Sequence, residues 1–300
     1  MTATDHSTTT PTPQGLPWRA KLAVALLVIL AVVVVLVSNR LLTDRYTADT
    51  RGRAEVRLAL YTGNLMAELQ RTSVVPLLLA SDPDLITALK VGNFSGTSAK
   101  LIALQGELGV ASIRLVDADG RVVGATNRNV LGTNHRNESY FVTAQRAKDT
   151  IFSAVKRDAG GFDFLYSRAV MGDAKLLGVI IVSVDLMKYE RAWAGLQDAI
   201  MVTDSEGTVV LSTEPRWRGL PMAEALALRD APSAIARALR ATTEWAQDPP
   251  DAYVRGEGVM KTEARVPFRG WKIATFTAYG SVREQVNGIL ALEIMGFAIL

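Results

Sequence analysis

From Leu22 to Val37 every side chain is Leu, Ala, Val or Ile, and no other stretch restricts the possible fold so strongly. A helix over this run has no polar face to turn to water, so it is not an amphipathic core or surface helix. Continued through Ser38 to Leu42, it approaches the roughly 20 residues that cross about 30 Å of hydrocarbon. Trp18, Arg19 and Lys21 stand just before it, where aromatic and basic anchors meet headgroups. A cleaved signal peptide is the alternative. Against it, the run exceeds the usual apolar core of such a peptide, and Ser38, Asn39 and Arg40 follow instead of a small-residue cleavage site. We read residues 18–42 as a transmembrane helix behind a disordered cytoplasmic tail at 1–17.

Charge does not orient this helix, because Arg19 and Lys21 precede it while Arg40, Arg45, Arg51, Arg53 and Arg57 follow. The stretch Ile289 to Leu300 is again mostly apolar, with one Glu293, and lacks a polar flank or cap. Residues 285–300 are therefore expected to begin a second span, cut short. Two spans would place 43–285 together on the far side of the membrane from both ends.

Three hundred residues allow two ordinary domains. The net charge of +3 comes from intermixed signs, without a basic face, so nucleic acid is not an expected partner. No cysteine is present, which excludes disulfides, thiolate metal sites and a cysteine nucleophile. The two histidines, His6 and His135, have no neighbouring ligand pair, so neither a zinc cluster nor a histidine relay is expected.

Between the apolar ends the sequence repeats. Ala111-Ser-Ile-Arg-Leu-Val-Asp117-Ala-Asp119-Gly120-Arg-Val-Val-Gly-Ala-Thr126 matches Ala199-Ile-Met-Val-Thr-Asp204-Ser-Glu206-Gly207-Thr-Val-Val-Leu-Ser-Thr213. Each copy has the chemistry of a β-hairpin: a β-branched run, an Asp-x-Asp/Glu-Gly turn, and a second run. Each is followed by further strands, Phe162 to Met171 and Lys175 to Asp185 in the first, Ala264 to Val266 and Phe268 to Thr277 in the second. The expected class is α+β, with one antiparallel sheet per module. A period of about 90 residues is too long for a solenoid, which leaves tandem domains. We place the modules at 108–195 and 196–284.

A long helix and a helical connector are expected over 43–107. Leu58, Tyr61, Leu65 and Leu69 recur at spacings of three and four, an apolar stripe that could pack on a twin helix in a dimer or on the chain's own modules. Pro76 should end or kink the helix, and Asp82-Pro83 reads as an N-cap before a proline at the first helical position.

Tyr61 to Ala80, Ser139-Tyr140-Phe141-Val-Thr-Ala144, Gly178 to Leu186, Thr203-Asp204 and Pro215-Arg-Trp217 together resemble the periplasmic region of the four-carbon-dicarboxylate sensor histidine kinases of the DctB type, in order over residues 20–300. The resemblance implies a tandem PAS-like (double-Cache) sensor in the bacterial inner membrane, a pocket for a small organic acid in the membrane-distal module, and a homodimer. It also implies a cytoplasmic kinase region that binds ATP and Mg and serves a response regulator; no cofactor is expected in these 300 residues.

The family's pocket walls fall on Tyr140, Tyr166, Arg168 and Ser183, with Ser139 beside Tyr140 and with Arg136, Lys156 and Arg157 close enough in sequence to donate to an anion. The family's Arg-Pro-Tyr-Phe stretch is Glu138-Ser139-Tyr140-Phe141 here, its strand lysine is Ser183, and its Thr-Thr-Ser loop falls near Arg157-Asp158-Ala159. A desolvated dicarboxylate needs charged donors, so the dicarboxylate specificity is less assured than the fold. Packing and solvation would explain the same aromatic and basic residues without a ligand. Asp117, Asp119, Asp204 and Glu206 suit hairpin turns better than a calcium loop or a carboxylate pair. Glu293 is either functional or interfacial. A chemotaxis receptor, a diguanylate cyclase and a ligand-free interaction module remain alternatives, whereas no Gly-x-Ser-x-Gly, His-Glu-x-x-His or Ser-x-x-Lys motif supports a hydrolase.

Overall fold

The computed structural model describes residues 18–158, 160–196, 198–228 and 250–299. The expected tail at 1–17 and Ala159 of the expected anion loop lie outside them. Two compact units are present, Arg51–Tyr279 and a smaller one that contains the helical segments 18–50 and 280–299.

The expected membrane helix and long helix are one element, α1 (Trp18–Ser73), since no proline intervenes to break the backbone ladder. Among the described residues it is the one helix long and apolar enough to cross a membrane, and its apolar window has no protein cover. The second apolar stretch lies in α8 (Gly280–Ile299). Within the helical-ends unit, Ser38 Oγ donates to Glu293 Oε1 at 2.5 Å.

Pro76 does end the long helix. Val74 intervenes, and a short α2 (Val75–Ala80) carries the proline in its first turn. In α3 (Pro83–Val91) the Asp82 carboxylate accepts from the Asp84 and Leu85 amides, two of the donors a helix start leaves orphaned. α4 (Thr97–Leu108) completes the connector.

The distal module holds β1 (Ser112–Asp117), β2 (Val122–Ala125), α5 (Ser139–Arg146), β3 (Ile151–Lys156), β4 (Phe162–Gly172) and β5 (Lys175–Val184). After α6 (Met187–Ala194), the proximal module holds β6 (Ala199–Thr203), β7 (Val209–Ser212), α7 (Met222–Ala227), β8 (Ala252–Val254), β9 (Glu257–Arg265) and β10 (Lys272–Ala278). The strand orders are β2-β1-β5-β4-β3 and β7-β6-β10-β9-β8, the same topology twice. All pairs are antiparallel.

The match extends to single bonds. The Asp117 carboxylate accepts from the Asp119 and Arg121 amides, and Asp204 does the same for Glu206 and Thr208. Gly120 (φ 88°) and Gly207 (φ 82°) supply the left-handed residue of each turn. The carboxylates of both hairpins are thus turn residues, as their chemistry suggested.

The distal sheet is covered on both faces, and strand alternation decides which residue meets which cover. Ile113, Leu115, Val170, Ile180 and Val182 pack under Val75, Leu79, Leu85 and Leu101 of the connector helices. Val116, Leu165, Val179 and Ile181 pack under Tyr140, Phe141 and Ala144 of α5. A third cluster joins both modules to α1: Leu58, Leu65 and Leu69 meet Phe152, Phe164 and Tyr166 of the distal sheet and Ile200, Val202, Trp271 and Ile273 of the proximal one. Of the two uses open to the α1 stripe, the structure takes the second, packing on the chain's own modules.

Candidate functional site

A cavity of about 390 Å³ opens in the distal module, within the size range of small-molecule sites. Its wall takes Ser112 and Arg114 from β1, Asp163 from β4, Ser183 from β5, Asn127 and Val130 from the loop after β2, Arg157 from the β3–β4 turn, and Met187 and Arg191 from α6. The pairing register makes this arrangement. Ser112 lies opposite Ser183 and Arg114 opposite Ile181, so these side chains share the α5 face of the sheet. Ser112 Oγ donates to Ser183 Oγ at 2.8 Å.

Three guanidinium groups give the cavity its charge, and two of them have acids nearby. Arg191 Nη2 lies 3.2 Å from Asp185 Oδ2, and Arg157 Nε lies 3.6 Å from Asp163 Oδ1. Arg114 Nε is buried without a hydrogen-bond partner, and so is that of Arg157. A buried donor left unpaired costs about 1–3 kcal/mol, which an arriving acceptor would recover. Arg114 also faces the His135–Tyr140 pair, whose Nδ1 and hydroxyl are 2.5 Å apart. Burial, reinforced by the Arg114 charge, lowers the proton affinity of His135; burial pushes the Tyr140 hydroxyl up to about 12 against the opposing effect of Arg114.

The second module provides an internal comparison. In the repeat Ser112 corresponds to Ala199, Arg114 to Met201 and Val130 to Trp217, while the ladder sets Ser183 against Ser112 as it sets Phe276 against Ala199. The four larger or more apolar counterparts form one buried cluster, with the Trp217 and Phe276 rings 5.6 Å apart. Where the proximal module is plugged by side chains, the distal module is hollow and polar.

Of the eight residues expected to bind ligand, Arg157 and Ser183 line this cavity. Tyr140 stands behind it, through its hydroxyl beside Arg114. Tyr166 and Arg168 are not brought there: strand alternation puts them on the opposite face, where Tyr166 is 4% exposed and its hydroxyl donates to Leu69 O at 3.0 Å. Arg168 reaches Thr150 and Asp149 instead. Arg136 and Ser139 are exposed in the turn before α5 and at its first residue, and Lys156 is exposed with its amine toward Gly219. Sequence reasoning missed Arg114, Asp163, Asn127 and Arg191. For Arg114 a signal existed: in Ser112-Ile-Arg-Leu-Val the apolar Ile113 and Leu115 alternate with it, so it had to share a face with Ser112.

A helix long and apolar enough to cross a membrane thus precedes two copies of one α+β module, one hollow and one filled. Comparison with known proteins narrows the class. No family model matches the chain. The C4-dicarboxylate transport sensor protein DctB of Rhizobium meliloti is 28% identical over 280 residues, 82% of this chain and 44% of that protein. DctB of Pseudomonas aeruginosa is 24% identical over 249 residues, 78% of this chain and 39% of that protein. The chain thus spans less than half the length of these curated relatives. Among solved structures, the sensor domain of the V. cholerae histidine kinase DctB superposes with TM-score 0.58 at 20% identity, covering 78% of this chain and 98% of that one. The ligand-binding domain of Mlp24 with asparagine gives TM-score 0.55 at 12% identity, covering 82% and 99%. The chain is thus similar to the sensory region of DctB in sequence and in fold, as the sequence resemblance implied.

Proposed function

We propose that this chain senses a small carboxylate in the distal cavity, from the extracytoplasmic side of a bacterial inner membrane, and informs a histidine kinase region and its response regulator. The observation that carries the ligand reading is the pair of buried Nε donors without partners, on Arg114 and Arg157, in a cavity that the sister module fills with Met201, Trp217 and Phe276. Arg114 and Arg157 would hold the carboxylate, and the Ser112 and Ser183 hydroxyls would take its remaining polar atoms. The relatives named for C4-dicarboxylate sensing favour an organic acid. The kinase output is preferred to a chemotaxis output because the curated sequence matches are to DctB, and chemoreceptor domains share only the fold.

The test is thermal unfolding of the chain in lipid nanodiscs against C4-dicarboxylates, monocarboxylates and amino acids. A ligand at 100 times its Kd adds about 2.7 kcal/mol of stability. Arg114→Ala should abolish the shift, and a full panel without any shift would refute the reading.

The partner and topology follow the same proposal. α8 forms the second span, which makes the anchor multi-pass with residues 43–285 outside the cytoplasm. The homodimer forms along α1, on a stripe other than the one read from the sequence. Val56, Leu60, Gly63 and Ala67 of α1 are exposed and keep a four-three spacing that Gln70, Val74 after the helix and Leu77 of α2 continue. Because α1 starts in the bilayer, two copies meet in parallel and in register.

A further inference from the structure

α6 is the link between the two sheets, and its eight residues face two ways. Met187 and Arg191, one turn apart, belong to the cavity wall. Glu190 and Trp193, 3% and 4% exposed, turn toward the other packing partners. Trp193 joins the core shared with α1, its ring 5.7 Å from that of Tyr61. Glu190 reaches the proximal module: its Oε1 accepts from the Ser212 amide of β7 at 2.7 Å and from Arg218 Nε at 3.0 Å, and its Oε2 lies 2.8 Å from Arg218 Nη2. A carboxylate carried by the linker helix therefore ties down an edge strand of the second sheet.

Arg157 approaches the same helix from the cavity, its Nη2 3.7 Å from Met187 Sδ. It also adjoins Arg218. A Cβ placed on Gly161 would lie 3.1 Å from Arg157 Nη2 and 3.7 Å from Arg218 Cδ, so the two side chains flank one glycine. Arg218 thus pairs directly with the buried carboxylate, and Arg157 lies behind it on the cavity side, against Arg218 and the same helix. Burial raises the proton affinity of Glu190, and the Ser212 amide, Arg218 and Arg157 oppose it.

We propose that Glu190 is a positioning residue that couples the charge in the distal cavity to strand β7 of the proximal module, with Arg157 as the shared cation. The proposal rests on the reading of the cavity as a carboxylate site. An anion there draws on the Arg157 charge and lowers its share at Glu190. The buried carboxylate is then less well compensated, and its hold on the Ser212 amide weakens. Occupancy is passed on by redistribution of one charge, without contact between ligand and proximal module.

Hydrogen exchange of the β7 amides, measured on the full chain in nanodiscs without ligand, tests this through a double-mutant cycle. Arg157→Ala should accelerate exchange of residues 209–212 by about threefold or more, a coupling typical of groups that share one charge network. In the Glu190→Gln background the same change should have no effect. Equal acceleration in both backgrounds, or none from Arg157→Ala alone, would overturn the proposal. Glu190→Asp keeps the charge and should retain the response to Arg157→Ala; a purely steric role for Glu190 would lose it. That arm decides the question if Glu190→Gln does not fold. No ligand enters the cycle, so its failure and the failure of carboxylate binding are separate results.

Discussion

Ser183 and Phe276 hold the same place in two copies of one sheet, Ser183 across from Ser112 on β5 and Phe276 across from Ala199 on β10. One leaves room and the other occupies it. Ser183→Phe should therefore convert the distal module to the filled type and abolish any carboxylate-induced rise in Tm. Because the ring enters existing space, the stability cost should stay below about 2 kcal/mol, the middle of the range for overpacking. Calorimetry on the variant checks both parts.

Phe276→Ala makes the opposite change. Phe276 is 1% exposed and packs on Trp217, so truncation should cost about 3–5 kcal/mol. Chemical denaturation gives the magnitude.

Arg218 and Glu190 form an unequal pair, the carboxylate buried and the cation half-buried. Removing the cation leaves a desolvated carboxylate, and Arg218→Ala should cost about 3 kcal/mol. Glu190→Gln keeps an acceptor for the Ser212 amide and removes the desolvated charge, so its cost should be about 1 kcal/mol. A reversed order in urea denaturation would contradict the burial-driven rise in Glu190 proton affinity.

His135 should titrate below its ordinary value near 6.5, through burial and the Arg114 charge. The unfolded chain then binds the proton first. Stability is lost as the pH falls through about 6.5 and levels off below the folded value. The protein has two histidines, so two-dimensional NMR of the imidazole carbons resolves the titration, and a His135 midpoint above 6.5 would contradict the geometry.

The two stripes of α1 should respond differently. Leu65→Ala, at a residue with 0% exposure, should cost about 2–5 kcal/mol, whereas Leu60, 62% exposed, should tolerate Ala with little loss in the monomer. Leu60→Cys introduces the chain's first thiol and should cross-link two copies under oxidation; a control Cys on the Leu65 stripe should not.

Much of the fold was legible because it rests on local chemistry. The run at 22–37 needs no tertiary information to be read as a membrane helix, and the Asp-x-Asp/Glu-Gly turns fix two hairpins whose likeness exposes the duplication. Pro76 and Asp82-Pro83 acted where their backbone chemistry said they would. The site was less legible because it depends on which face of a strand looks where. Tyr166 and Ser183 were assigned together from their place in a family pattern, yet the ladder sets Tyr166 opposite Val182 and Leu165 opposite Ser183, so the two point to different sides of one sheet. The stripe at Leu58 and Leu65 was legible as apolar but not as to its partner, since periodicity does not distinguish a twin helix from the chain's own sheets. Arg191 of the cavity wall came from a helix beyond the last strand of its module, which no hairpin pattern includes.

Phe152 on the distal sheet lies edge-on to Phe268 and Trp271 of the proximal module, and Arg269 Nη1 donates to its carbonyl at 2.8 Å. A duplication easy to see in the sequence is therefore not divisible in the molecule. A gene fragment cut between the repeats would leave half of an aromatic cluster facing water on each product, an aggregation-prone surface. The inherited unit is one module, but the smallest piece that can be expressed, melted or evolved as a soluble body is the pair.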